Sequence, residues 1–366
     1  MRKSIIGAAV VSLSALVLAA TVSGKTARPA AGSKKSAGEL VAFLLPENVT
    51  PRWEGFDRPT FVAAMKKLEP SVKVDVLNAL NKPDTQQSQA EQELTKGAKV
   101  LVVSAIDGKA FGVVAKKAAS QGVKVIAYDR LISGAKISAY ISFDGVAVGK
   151  AQGAWMKGHT KKGARIAVIN GAITDDNAKL FNKGYMSVLR PLFKSGARKV
   201  VGPANGTWTP GWDPPTAQRE MEQLLTKSHN KIDAVLSAND GMAGGIIAAL
   251  KAVGKKVPVT GQDASLEGIQ NIIRGTQGMS VFKDIRLQAP AAAKITAALL
   301  AGKTTLPGVN KKVNNGAGNI PSVILPVKAV DKSNLSLLVR NKWVNLPGIG
   351  GLSKVCQGVP KRLICK

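Results

Sequence analysis

The sequence predicts an α/β chain made of two doubly wound arrays in tandem, each around a parallel sheet. Short apolar runs of strand length alternate with amphipathic stretches of helical length, and the whole alternation occurs twice. The runs are apolar almost throughout, as strands covered on both faces must be. A length of 366 residues with 45% hydrophobic residues allows two domains and an ample core.

The elements follow in order. Residues 1–24 carry Arg2 and Lys3, an apolar run from Ile5 to Ala20, and then small residues, the three zones of a secretory signal peptide. The run is short for a membrane span and contains Ser12 and Ser14, so a retained anchor is the weaker alternative. Residues 25–37 read as a flexible leader, and the lack of a cysteine near the cleavage zone argues against a lipoprotein. ELVAFLLPE is strand-like, PTFVAAMKKLE has apolar residues at helical spacing, and VKVDVLNA alternates with period two. DTQQSQAEQELTKG reads as a helix from an Asp84 N-cap to Gly97, followed by the strand VLVVS, a helix through FGVVAKKAASQG and the strand KVIAY. VAVGKAQGAWMKGHTKKG reads as the join between the arrays. The second array runs RIAVIN, KVVGPANG, DAVLSAND, KVPVTGQD and MSVFKD as strands, each followed by a helical stretch.

Parallel α/β sheets bind ligands beyond the carboxyl ends of their strands, so the residues leaving each strand matter most. They are Asp129-Arg130, Asp175-Asp176-Asn177, Asn239-Asp240, Gln262-Asp263 and Lys283-Asp284. Any one of these is an ordinary helix cap or turn. Five such ends gathered at one edge, without a nucleophile, suit a neutral, hydroxyl-rich ligand.

Other chemistries are poorly supported. GxGxxG, GxSxG and HExxH are absent, and GVAVGKA lacks the P-loop spacing. Asp175 and Asp263 resemble a glycosidase pair, but neighbouring amides and cations are expected to keep both ionised, which a general acid cannot be. With two histidines and no CxxC, neither a metal site nor a cofactor is expected, and the chain does not read as an enzyme. The net charge of +29 is spread along the chain without a basic, aromatic-interleaved stripe, so it indicates a solvated surface able to meet anionic lipid or polysaccharide and not a nucleic-acid binder. Cys356 and Cys365 fit a local disulfide that clips the tail of an exported chain; two free thiols are the alternative.

The segments RWEGFDRPTF, YDRLISGAKISAYISFD, TDDNAKLFNKGYMSVLRP, GWDPPTA, KIDAVLSANDGMAGG and GQDASLEGIQNIIRGTQGMSVFK together resemble the periplasmic D-xylose-binding proteins, solute receptors of a sugar ABC importer. The resemblance spans Glu39 to Lys342. It implies the type I periplasmic binding fold: two Rossmann-like lobes joined by a three-crossover hinge, here residues 38–143 plus 286–321 and 144–285 plus 322–345, with 346–366 as a clipped tail. It also implies that Arg52, Trp53, Asp129, Arg130, Asp175, Asn177, Trp212, Asn239, Asp263 and Lys283 bind the ligand.

That set makes chemical sense for a sugar. A hydroxyl both donates and accepts, so carboxylates, guanidinium, ammonium and amide groups all find use. Trp53 and Trp212 are expected to cover the apolar faces of the ring. Trp155, Trp208 and Trp343 are assigned to ordinary packing, and Asp144 to the passage between lobes. Asp176 stands where the family commonly has asparagine. RWEGFDRPTF is one residue longer between Trp53 and Asp57 than the family pattern, and the basic charge and the tail also depart from it. The expected function is capture of a monosaccharide, D-xylose favoured, in the periplasm by a monomer that delivers it to an ABC permease. The alternatives are a sensor read by a chemoreceptor or sensor kinase, and a receptor for ribose, arabinose, galactose or glucose.

Overall fold

In the computed structural model, which describes residues 38–361 and 363–365, the first apolar run forms β1 (Leu40–Leu45) and is buried along its whole length. Val41, Phe43 and Leu45 join one core while Leu40, Ala42 and Leu44 join another, the period of two that a strand imposes. The signal and leader read at residues 1–37 lie outside the described residues.

After β1 come a π-helical turn (Trp53–Asp57), α1 (Arg58–Leu68), β2 (Lys73–Asn78), α2 (Pro83–Thr95), β3 (Val100–Val103), α3 (Gly112–Ser120), β4 (Lys124–Tyr128) and β5 (Ala139–Phe143). The chain then builds α4 (Gly145–Gly158), β6 (Arg165–Asn170), α5 (Asp176–Lys194), β7 (Lys199–Val201), β8 (Thr207–Trp208), α6 (Pro214–Lys227), β9 (Ala234–Ser237), α7 (Asp240–Ala252), α8 (Leu266–Arg274) and β10 (Met279–Phe282). It returns through α9 (Ile285–Leu300), β11 (Lys311–Asn314) and β12 (Asn319–Leu325), and ends with β13 (Lys328–Asp331), α10 (Ser336–Arg340) and α11 (Gly351–Cys356).

The first sheet has the order β11-β12-β5-β4-β3-β1-β2, parallel except at β11–β12. In the second, β6 pairs in parallel with β7, β8 and β9. A third pair, β10–β13, is antiparallel. The chain passes between the first sheet and the rest three times: after β5, after β10 and after β12.

The structure corrects four expectations. β12 pairs with β5 as far as Leu325, so the third crossing falls at 326–327 and not after residue 321; its apolar SVIL run keeps it in the sheet. VAVGKAQGAWMKGHTKKG is mostly α4 and not a join, because Asp144 Oδ1 accepts from Ala147 N at 2.9 Å and caps a helix there. Pro83 opens α2 with Lys82 as N-cap, so Asp84 lies inside the first turn; a proline's missing N–H costs nothing at that position. KVPVTGQD forms only isolated bridges, Val235–Val259 and Gln262–Val281, since Pro258 has no N–H for a ladder. The backbone N–H of Asp144 also donates to Leu325 O at 2.9 Å, tying the first crossing to the third. Cys356 and Cys365 are joined by a disulfide.

Candidate functional site

All ten expected residues line one pocket. Arg52 and Trp53 enter from the segment after β1, Asp129 and Arg130 from the end of β4, and Asp175 and Asn177 from the start of α5. Trp212 comes from the turn before α6, Asn239 from the end of β9, Asp263 from the segment before α8, and Lys283 from the end of β10. Capping and lining coexist. Asp175 Oδ1 accepts from Asn177 N at 2.9 Å and Asn239 Oδ1 from Met242 N at 2.9 Å, yet both side chains reach the pocket. A cap occupies one oxygen and leaves the rest of the side chain available.

The charges are arranged in buried chains. Asp129 Oδ2 accepts from Arg52 Nη1 at 2.9 Å and from Gln288 Nε2 at 3.2 Å, while Oδ1 accepts from Asn177 Nδ2 at 2.9 Å. Burial disfavours its charge, but Arg52, Lys283 and Arg130 outweigh burial and hold the carboxyl well below the usual carboxylate range. Arg52 is itself fixed by two hydrogen bonds to Asp57, at 2.8 and 2.9 Å, and Tyr128 donates to Asp57 at 2.5 Å. Arg130 Nε stands 3.0 Å from Asp175 Oδ2, to which Trp212 Nε1 also donates at 3.1 Å. Asn177–Asp129 and Arg130–Asp175 run between the two lobes, so the cleft is closed.

The second lobe supplies the less satisfied groups. Lys283 Nζ lies 3.1 Å from Asp263 Oδ1, yet that oxygen receives no aligned hydrogen bond. Gln262 Oε1 is buried without a hydrogen-bond partner and Gln262 lines the pocket. An unmade hydrogen bond at a buried acceptor is costly, and an incoming donor relieves it. Overall the lining holds three carboxylates (Asp129, Asp175, Asp263) and three cations (Arg52, Arg130, Lys283). This balance matches a ligand without net charge.

Sequence reasoning missed Thr50 and Phe181, and it read Gln262 as a strand-end residue without placing it in the ligand-binding set. Phe181 lies four residues after Asn177 on α5, the spacing that puts two side chains on one helix face, and Gln262 shares its strand end with Asp263; both signals were present. Nothing in the spacing marks Thr50. Asp176 does not line the pocket; it accepts from Ser133 Oγ at 3.0 Å and Lys179 Nζ at 2.9 Å. For Asp175 the expectation of an easily ionised carboxylate fails in direction, because burial pushes its carboxyl up despite Arg130. Trp53 carries the Arg52 guanidinium 4.4 Å above its ring. Of the tryptophans left to packing, Trp155 stacks on His159 at 3.9 Å, Trp208 is half-buried in β8 and Trp343 is buried in the core. Among the described residues no cluster of three metal-ligating side chains occurs.

Comparison with known proteins places the chain in a family. Residues 41–304 match the family described as periplasmic binding protein domain. The sequence is 42% identical over 286 residues to the D-xylose-binding periplasmic protein of Escherichia coli strain K12, covering 78% of this chain and 84% of that one. It is 40% identical over 267 residues to the multiple sugar-binding periplasmic receptor ChvE of Rhizobium radiobacter, covering 68% and 75%. Among solved structures, an ABC transporter solute-binding protein from Clostridium phytofermentans with bound β-D-glucose superposes with a TM-score of 0.77 at 31% identity, covering 87% of this chain and all of that one.

Proposed function

The chain belongs to the periplasmic binding protein domain family, and from that premise we propose that it captures D-xylose in its interlobe cleft through the ten residues named above. It is a non-enzymatic, periplasmic sugar receptor that works with an ABC importer. The observation that carries the reading is the charge-balanced lining, three carboxylates against three cations, with tryptophan and phenylalanine rings beside them. Each charged group forms stronger hydrogen bonds to a hydroxyl than a neutral group does, while the sum leaves no field that demands a charged ligand. A hydroxyl of the wrong configuration leaves a buried donor or acceptor unpaired, at a cost of about 1–3 kcal/mol.

The similarity to a multiple sugar-binding receptor supports a second reading, in which ribose, arabinose, galactose or glucose is accepted as well. The protein acts as a monomer, and its closed surface is what the permease, or alternatively a chemoreceptor or sensor kinase, reads. Thermal melting against a panel of pentoses and hexoses tests both readings. A sugar at 100 times its Kd adds about 2.7 kcal/mol of stability, so the true ligand raises Tm. D-xylose alone doing so supports the first reading, several aldoses support the second, and no shift with any sugar ends both.

A further inference from the structure

Trp343 is among the largest side chains shut wholly inside the protein, and three of its core neighbours lie beside the site in sequence. Its ring lies 5.0 Å from Phe56 and 4.8 Å from Phe282, and its Nε1 donates to Ala264 O at 2.9 Å. Each of the three adjoins a residue of the site. Phe56 sits in the π-helical turn between Trp53 and Asp57, the carboxylate that fixes Arg52. Phe282 precedes Lys283, and Ala264 follows Asp263. Asp263 and Ala264 have φ of +97° and +48°, a left-handed backbone that residues with a Cβ adopt only where their surroundings impose it. Val281 O and Ser280 Oγ hold the N–H groups of Asp263 and Ala264 at 2.8 and 2.9 Å, and the indole N–H adds the constraint on the Ala264 carbonyl.

The segment carrying Trp343 is held from behind. The disulfide closes its end, and Gln270 and Arg274 of α8 donate to the carbonyls of Lys354 and Gly358 at 3.0 and 3.3 Å. In front, Gly348 meets the π-helical turn so closely that a Cβ on Gly55 would stand 2.9 Å from its Cα. The turn between Trp53 and Asp57 thus packs directly against the tail. That tail lies beyond residue 304, where the family match ends.

We propose that Trp343, clamped by the disulfide-closed tail, is a positioning residue of the sugar site. It sets the Asp263–Ala264 turn and the Phe282–Lys283 strand end against the Phe56 turn, so that Asp263, Lys283 and Arg52 meet the ligand already in place. The proposal rests on the sugar-receptor reading. Trp343→Phe in the full chain keeps a ring and removes the N–H. Amide hydrogen exchange at Asp263 and Ala264 in the ligand-free variant is expected to quicken about tenfold or more while β3 stays protected. D-xylose affinity, measured by calorimetry where the variant is fully folded, is expected to fall about tenfold.

A merely structural tryptophan would lower Tm and change neither reading. Unchanged exchange at these two amides overturns the proposal, and so does unchanged affinity. If the wild-type protein binds no sugar, the receptor reading fails and the exchange result alone decides this one. If Trp343→Phe does not fold, the double variant Cys356→Ser with Cys365→Ser releases the tail, and the same two readings apply to it.

Discussion

Asp129 shows how much a single strand-end residue carries. Its φ of +63° is unusual for a residue with a Cβ, and its carbonyl accepts from Ser142 Oγ at 2.7 Å, Tyr140 OH at 3.1 Å and Asn177 Nδ2 at 3.1 Å. Backbone and carboxylate are therefore both committed, and the charge serves Arg52 and Asn177. Asp129→Asn keeps the shape and removes the charge, leaving a buried guanidinium short of a partner. Loss of one member of a buried pair costs about 3–5 kcal/mol, so sugar affinity is expected to fall at least 100-fold by calorimetry; retained affinity would move the ligand out of this cleft. That Asp129 and Arg130 face the site could be read from the sequence only in company, because one such strand end is an ordinary cap or turn while five at one edge are not. Their partners could not, since Arg52 and Gln288 for Asp129 and Glu47 for Arg130 are distant in sequence and only folding brings them together. Asp240 makes a different prediction. It is buried, accepts from Ser265 N, Gln277 Nε2 and Ser280 Oγ at 2.9, 2.7 and 2.8 Å, and burial followed by Asp263 pushes its carboxyl up to about 7. Between the usual aspartate value near 4 and about 7, the folded protein holds a proton that the unfolded chain has released. Its contribution to stability therefore falls as pH rises through that window and levels off above it. Asp240→Asn should flatten this part of the profile in urea melts from about pH 4.5 to 8; parallel profiles for the two proteins would refute the assignment.

Elements hold the site residues at fixed distances, and here packing decides more than pattern. Helices α4 and α5 cross at Gly149, where an added Cβ would come within 2.0 Å of Phe181 O. Phe181 lines the pocket, so Gly149→Ala forces apart the two helices that set it. A loss of about 1–3 kcal/mol is expected, typical of overpacking, read as a lower Tm; an unchanged Tm would mean that the crossing has slack. The strands were easy to find because their apolar runs had no alternative to burial. The KVPVTGQD segment looked equally apolar and does not make a ladder, because Pro258 has no N–H to donate and the Thr260 hydroxyl bonds both Ser237 N and Ser237 O. Elements β11 and α11 are short and polar at the surface, so hydrophobic period gives no signal there. The form of the segment after Trp53 was not legible in its sequence: Trp53–Asp57 is a π-helical turn, and such turns gather at functional sites.

At the scale of the whole molecule, the chain carries +29 while its cleft is balanced, and these two facts separate sharply in their salt dependence. A net charge this large attracts anions from a distance, and that attraction fades as the screening length shrinks from about 20 Å at low salt to a few Å near 0.5 M. A neutral sugar feels no such field. Its affinity depends on short, buried, charge-assisted hydrogen bonds among Arg52, Asp129, Arg130 and Asp175, all of them at most 5% exposed and sheltered from ions. Affinity for the sugar is accordingly expected to change less than about twofold between about 20 mM and about 500 mM salt. Calorimetry across that range checks it. A fall of about tenfold or more would identify an anionic ligand, a sugar acid or sugar phosphate, and would reassign Arg52, Arg130 and Lys283 from hydroxyl donors to counter-ions. The same titration bears on the surface charge. If the sugar is indifferent to salt, the excess of lysine and arginine serves something other than ligand capture.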